Sequence, residues 1–482
     1  GALPAVVGGV GAIAVAVALS PFFPIGPVRR IEPASGVDVD ATAVLGGAAV
    51  LVVVLIAAAA VSALRSVGAW RRASVPGVPA TSALAARLTR GLPAPARVGV
   101  DFAIAPSPAR GASGSRPVVV AAVIGIAAVV ASLTFGNSLR HLVGTPELFG
   151  WEGDAVLFDD GGYGSIDLEA AGEQLRADED VEGWAAAGFN VAEVDGRRFP
   201  AMQFLPLQGD LAPPILEGRG LQGPDEVVAG SRTLDQLGLD VGDTVELSVG
   251  GETARRRIVG RATLPSIGIV HGARTSLGDG LVLPASPPDE AAAEQEIFGL
   301  SSLFVRFRDG VDEAAVRERL RPLGEQVGSY PGSLEVLGVQ RPAEISEHRT
   351  MRSGPAWLAG ALAAAVLASL LLALAASARR RRHDLAVLKV LGMTSRSVGR
   401  VIQVQSGVTM ALGLLFGIPL GIAGGQWAWR AYAEQLDVLD VSRVPAGVVA
   451  LVAVAAALLA VVVAAGPALA ARRAPVDGLR PE

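Results

Sequence analysis

Arg379-Arg380-Arg381-Arg382-His383-Asp384-Leu385-Ala386-Val387-Leu388-Lys389-Val390-Leu391-Gly392-Met393-Thr394 closes one apolar run and precedes another. Four consecutive arginines at the end of an apolar helix mark the cytoplasmic side of a bilayer, where basic residues accumulate. Beyond them Leu385, Leu388 and Leu391 recur at helical spacing, Gly392 offers a C-terminal stop, and Thr394 or Ser395 offers a cap for the next helix. The stretch predicts a short amphipathic helix held at the inner membrane surface between two spans. Such a helix has no chemistry of its own, but a soluble partner can push on it.

Working outward, several windows exceed the roughly 20 apolar residues needed to cross a bilayer. Spans are expected at Gly1–Ser20, Ala41–Leu64, Pro117–Asn137, Pro355–Ala378, Val401–Gly425 and Val444–Gly466. The glycine-rich fifth is expected to pack helix against helix. Between the second and third spans Arg65, Arg71, Arg72, Arg87, Arg90, Arg97, Arg110 and Arg116 face the single acid Asp101, which places this linker in the cytoplasm. Within it Thr81–Arg90 reads as a surface helix, with Leu84 and Leu88 on one face. The long polar region after the third span holds roughly 36 acids against roughly 19 arginines, a bias that suits the opposite side. Gln426–Arg443, with Glu434, Asp437 and Asp440, reads as a short outer loop, and Arg472, Arg473 and Arg480 return the tail to the inside.

An internal repeat agrees with this layout. Val37-Asp38-Val39-Asp40, a span, then Arg71-Arg72-Ala73-Ser74-Val75-Pro76 mirrors Asp437-Val438-Leu439-Asp440-Val441, a span, then Arg472-Arg473-Ala474-Pro475-Val476. The first two spans are therefore expected to end an earlier copy, in a chain that begins inside a longer protein. The acidic region alternates strand and helix signals. Asp154–Phe158, Phe189–Val194, Ala201–Leu205 and Ser302–Phe307 read as strands, and Leu168–Arg176, Ser231–Leu237 and Asp312–Leu320 as helices. Gly250-Gly251 suggests a hairpin from the strand ending at Leu247 into Arg256–Val259.

Several functions are excluded or disfavoured by the residues. There are no cysteines, so disulfides and thiolate metal sites are absent. A phosphate-binding loop needs a lysine before Ser or Thr; the sole lysine, Lys389, precedes Val390, so this chain has no such loop to hydrolyse ATP. His383-Asp384 after a span suggests a phosphoacceptor histidine, but no room follows for a nucleotide-binding domain. His348 beside Glu344 and Glu347 lacks zinc-ligand spacing, and His141 and His271 are isolated. Asp159, Asp160 and Asp167 lack the alternation of a calcium loop, so a turn is the simpler reading. No G-x-S-x-G elbow occurs in a strand-to-helix context, which argues against a hydrolase, and the acidic soluble region argues against nucleic acid. Ionisable residues are scarce in the spans, which argues against an ion relay.

Arg379–Gly392, the following Gly417-Ile418-Pro419-Leu420-Gly421 and the terminal Arg473-Ala474-Pro475-Val476 resemble the FtsX-like (MacB-type) permease family of ABC transporters. Leu385-Ala386-Val387-Leu388-Lys389-Val390-Leu391-Gly392 is the most specific match. Glu226–Leu247, with Gly238-Leu239-Asp240-Val241-Gly242-Asp243, and Pro146–Trp151 resemble that family's periplasmic core domain. The resemblance implies a multi-pass α-helical protein of the bacterial cell membrane, with six transmembrane helices and a large α+β extracytoplasmic domain of MacB periplasmic-core type. Its expected divisions are 1–64, two transmembrane helices ending a first repeat; 65–116, the Arg-rich linker; 117–137, a span; 138–354, the outer domain; and 355–482, three spans with a coupling helix at 383–392.

No enzymatic activity is implied. The resemblance assigns ATP to a separate ABC ATPase subunit, which would grip Asp384, Leu385, Leu388, Gly392 and Met393, with no cofactor on this chain. Asp384 stands where the family more often has Glu. Other partners in this reading are membrane lipid, a second permease copy, and an extracytoplasmic substrate or hydrolase. Two functions stay open: movement of a lipid, lipoprotein or peptide, and a regulatory scaffold that activates a cell-wall hydrolase without transport.

Overall fold

The structure is a computed structural model that describes residues 91–104, 116–269, 273–285, 299–350, 358–365, 368 and 394–473. The expected spans Gly1–Ser20 and Ala41–Leu64, the expected helix Thr81–Arg90 and the coupling segment 383–392 lie outside them.

The chain divides into two units. The first takes in 1–129, 357–419 and 447–482, the second 130–356 and 420–446. In the first, α1 (Ala94–Ile104) is a helix within the arginine-rich linker that the sequence reading missed. α2 (Arg116–Gly144) and α8 (Ser395–Leu436) each belong in part to both units, and α9 (Ala446–Arg473) belongs almost wholly to the first. Among the described residues two helices are long and apolar enough to cross a membrane, Val118–Gly144 and Arg396–Leu436, with a shorter apolar stretch at Ala446–Leu458.

α8 packs on α2 through glycine. Gly413, Gly417, Gly421 and Gly425 recur every fourth residue and so share one face. A Cβ on Gly417 would lie 2.9 Å from both the Val123 carbonyl oxygen and Ile126 Cβ, and one on Gly413 3.2 Å from Ala122 Cβ. In the second unit, a Cβ on Gly425 would lie 2.8 Å from the Ala131 carbonyl oxygen. Small residues that admit backbone to backbone are the usual glue between helices in lipid, where apolar burial gives little drive.

The second unit is an α+β domain. Its strands are β1 (Ala155–Asp159), β2 (Val181–Val194), β3 (Arg197–Gln208), β4 (Ile215–Gly218), β5 (Glu226–Gly230), β6 (Thr244–Val249), β7 (Glu252–Ala262), β8 (Leu264–Ile269), β9 (Ala273–Leu277), β10 (Leu281–Pro284), β11 (Ser302–Phe307) and β12 (Leu334–Gly338). Its helices are α3 (Leu168–Ala177), α4 (Ser231–Leu237), α5 (Glu313–Leu320), the single turn α6 (Gly324–Val327) and α7 (Ala343–Thr350). One ten-stranded sheet runs β12-β1-β11-β2-β3-β10-β5-β7-β4, with β6 pairing β2 and β7; β8 and β9 form a separate hairpin. Pairing is antiparallel except for β3 with β10 and β5 with β7.

The expected strands and helices fall inside these elements save Asp154, which precedes β1, and Asp312, which caps α5, but the central hairpin is longer than its parts. Phe189–Val194 is only the end of the 14-residue β2, whose Val181–Gly188 half is mostly small residues without alternation. That half is buried because α3 and β11 pack on it: Trp184 and Leu175 share one apolar cluster with Leu303 and Val305. Asp167 and Asp312 cap α3 and α5 by accepting backbone N–H groups. The Gly250-Gly251 turn joins β6 to β7 as expected.

One expectation is corrected. Gln426–Arg443 is not a loop in its first half, because α8 stays helical to Leu436. No Gly or Pro interrupts 426–436, and Trp429 with Ala433, and Tyr432 with Leu436, put an apolar face at helical spacing against the domain core.

Candidate functional site

The sequence-predicted coupling residues Asp384, Leu385, Leu388, Gly392 and Met393 lie outside the described residues. Thr394 follows them directly. Thr394 caps α8 as the sequence suggests: Ser397 N–H donates to its Oγ1 at 3.3 Å, and Val398 N–H to its carbonyl at 3.1 Å. The first turns that follow are packed. Val398 and Val401 are fully buried, and α1 presses in through Gly99, whose Cβ position would lie 2.8 Å from the Val401 carbonyl oxygen.

In the second unit, the outer ends of α2 and α8 enter the core of the α+β domain. Trp429 and Ala433 are completely buried. Phe135 of α2 meets Trp429 edge-on at 5.8 Å and Tyr432 at 5.4 Å, so three aromatic rings lock the two helix ends together. The same cluster continues through Leu142, Phe149 and Trp151 into the sheet at Phe304, which Trp151 meets edge-on at 5.8 Å. After α8 the chain is tied to α2 and to the start of the domain by polar bonds. Leu439 N–H donates to the Leu148 carbonyl at 3.1 Å, Asn137 Nδ2 to the Arg443 carbonyl at 2.9 Å, and Arg443 N–H to Ser138 Oγ at 3.1 Å.

Charges sit at two places in this joint. Glu152, directly after Trp151, pairs with Arg306 of β11 at 2.6 Å, and the Arg306 Nε–H also donates to the Glu152 carbonyl. Burial pushes the Glu152 carboxyl up to about 7, against the opposing pull of Arg306. Burial also raises Asp154, which accepts the Phe307 N–H at 2.7 Å. At the end of α8, Asp437 has a left-handed backbone (φ 57°) and lies 3.3 Å from Arg232 Nε of α4. Burial raises its carboxyl, while Ser231 and Arg232 favour the charged form. Arg232 reaches Asp279 with its other arm at 3.1 Å.

The three acids weighed as calcium ligands have separate roles. Asp159 is buried and accepts from Ser329 N–H and Oγ–H and from the Ser333 hydroxyl. Asp160 accepts the Tyr330 hydroxyl, and Asp167 caps α3. The aromatic joint, Glu152 and Asp437 were not singled out by sequence reasoning. Trp429, Tyr432 and Leu436 carried a readable helical spacing; the left-handed turn at Asp437 carried none, because aspartate follows many helices without adopting it.

Residues 118–323 match the family model of the MacB-like periplasmic core domain, and residues 357–476 match that of the FtsX-like permease C-terminal region. No curated protein matches the chain. Among solved structures, the periplasmic region of MacB from Actinobacillus actinomycetemcomitans is 12% identical, covering 40% of this chain and 91% of that one with a TM-score of 0.27. The extracellular domain of the noncanonic ABC-type transporter YknZ from Gram-positive bacteria is 10% identical, covering 38% and 98%, with a TM-score of 0.26.

Proposed function

As the chain belongs to the FtsX/MacB-type permeases of ABC transporters, we propose that it transmits force: closure of a separate ATPase on ATP displaces the segment 383–392, and α8 carries that displacement to the outer domain. The observation that carries this reading is the length and ending of α8. Its 42 residues are about twice the roughly 20 needed to cross a hydrocarbon core. A helix of that length has turns beyond the lipid. Its first turn follows the coupling segment directly, and its last turns bury Trp429 and Ala433 in the domain core. In this proposal the helix, which contains Pro419, hands a push at its start to the domain in which its last turns are seated.

The cargo in this proposal is a lipid, lipoprotein or peptide taken from the outer leaflet or beyond it. The spans support a mechanical rather than an ion-conducting role, since 118–137 and 401–425 contain no Asp, Glu, Lys, Arg or His. Asp384, Leu385, Leu388, Gly392 and Met393 form the docking face for the ATPase. Leu388→Asp places a charge in the apolar groove that receives it. The chain carrying it is expected to assemble in the membrane yet lose most of its stimulation of the partner's ATPase activity. Unchanged stimulation in Leu388→Asp removes the docking assignment.

A further inference from the structure

We propose that Asp437 is a latch, a positioning residue that hands the displacement of α8 to the α4 edge of the outer domain; the inference rests on the mechanical reading above. Helices that end in a left-handed residue generally use Gly there, because a side chain is strained in that conformation. The backbone bonds that close α8 need no carboxylate. Asp437 N–H donates to the Glu434 carbonyl, and Val438 N–H to the Ala433 carbonyl at 3.1 Å. Glycine would make both bonds with less strain, so the aspartate side chain has a different use.

That side chain leaves the helix and ties together segments far apart in sequence. It is only 8% exposed, hydrogen-bonds Ser231 and lies 3.3 Å from Arg232, the first two residues of α4. Arg232 in turn holds Asp279, in the turn between β9 and β10. Gly278 in the same turn lies so close that a Cβ there would overlap the Asp437 carboxylate. The end of α8 is thus joined to α4 and to the β9–β10 turn through the buried Asp437 carboxylate and the 40% exposed Arg232 side chain that it shares with Asp279. The neighbouring Arg430–Asp440 pair stays on one stretch of chain, and its arginine side chain is 66% exposed, so it ties nothing to the domain.

The test uses the full chain with its ATPase in lipid nanodiscs. The absence of native cysteines lets spin labels be placed singly. One label pair joins Leu458→Cys on α9 to Asp235→Cys on α4; a second joins Leu458→Cys to Glu318→Cys on α5. With otherwise native sequence, both distances are expected to shift when ATP is trapped. In Asp437→Gly the α4 shift falls by at least half, the α5 shift persists and the thermal midpoint does not drop. Asp437→Asn, which tolerates the left-handed turn but loses the charge, falls between. Native-size shifts at both probes in Asp437→Gly overturn the latch. So does loss of both shifts with a lowered midpoint, since that marks a purely structural residue. Absence of any shift before substitution instead defeats the mechanical reading on which the latch depends.

Discussion

The middle and the outer end of α8 solve opposite problems with opposite side chains. At Gly413, Gly417 and Gly425 the missing side chain lets α2 approach until backbone meets side-chain stem. At 429–436 the same helix carries Trp429, Tyr432 and Leu436, and large rings fill the domain core. A glycine seam gains close approach but has few protruding shapes to lock it. An aromatic plug interlocks, so its position relative to the domain is fixed. The difference teaches where one helix is held by its neighbour and where it is anchored in the domain core.

The largest effect expected from this contrast is at Trp429. Truncation of a fully buried Trp leaves a cavity costing about 3–5 kcal/mol. Trp429→Ala should therefore lower the thermal midpoint of the purified chain sharply and open 437–445 to protease. A midpoint within a degree of the parent would mean that α8 is not anchored there. Gly417→Leu comes next, at about 1–3 kcal/mol for overpacking a close contact. Its added atoms meet the Val123 carbonyl and Ile126, and the helices must part. A disulfide between Ala122→Cys and Gly413→Cys should then form less completely; equal yield with and without Gly417→Leu would break the seam.

These two regions were not equally legible in the sequence. The glycine repeat was visible as a glycine-rich span, and its packing role follows from composition alone. The sheet strands with β-branched or aromatic alternation were legible too, as was the hairpin at Gly250-Gly251. What sequence reasoning lost was whatever depended on a distant partner. Val181–Gly188 is a strand because Trp184 and its small neighbours are covered by α3 and β11. The last turns of α8 remain helical because the domain core receives them, although Glu434, Asp437 and Asp440 made that stretch look like solvent-facing loop. Asp437 itself is a site only through Ser231 and Arg232, roughly two hundred residues earlier in the chain, and no local pattern announces such a pairing.

A smaller effect separates the charged floor of the joint from its apolar plug. The folded-state value of Glu152, about 7, lies above its ordinary 4.5. The folded protein therefore holds a proton through that window which the unfolded chain has released, so stability falls as pH rises from about 4.5 to 7 and levels off above. Glu152→Gln should flatten part of this slope in thermal melts, the remainder belonging to Asp154 and Asp437, which burial also raises. A slope identical to the parent's would place the titration elsewhere. The smallest effect is expected two residues from the largest. Trp427 is 73% exposed, and Trp427→Ala should shift stability by no more than about 0.5 kcal/mol. A loss comparable to that of Trp429→Ala would erase the distinction between the outward and the seated face of α8.

The central claim is that displacement enters at 383–392 and emerges in the outer domain. It is tested most directly by the distance between labels at Leu458 and Glu318, read with and without trapped ATP in the parent chain and in Leu388→Asp. The account predicts a clear shift in the parent and none in Leu388→Asp. The same shift in both, or no shift in the parent, contradicts it.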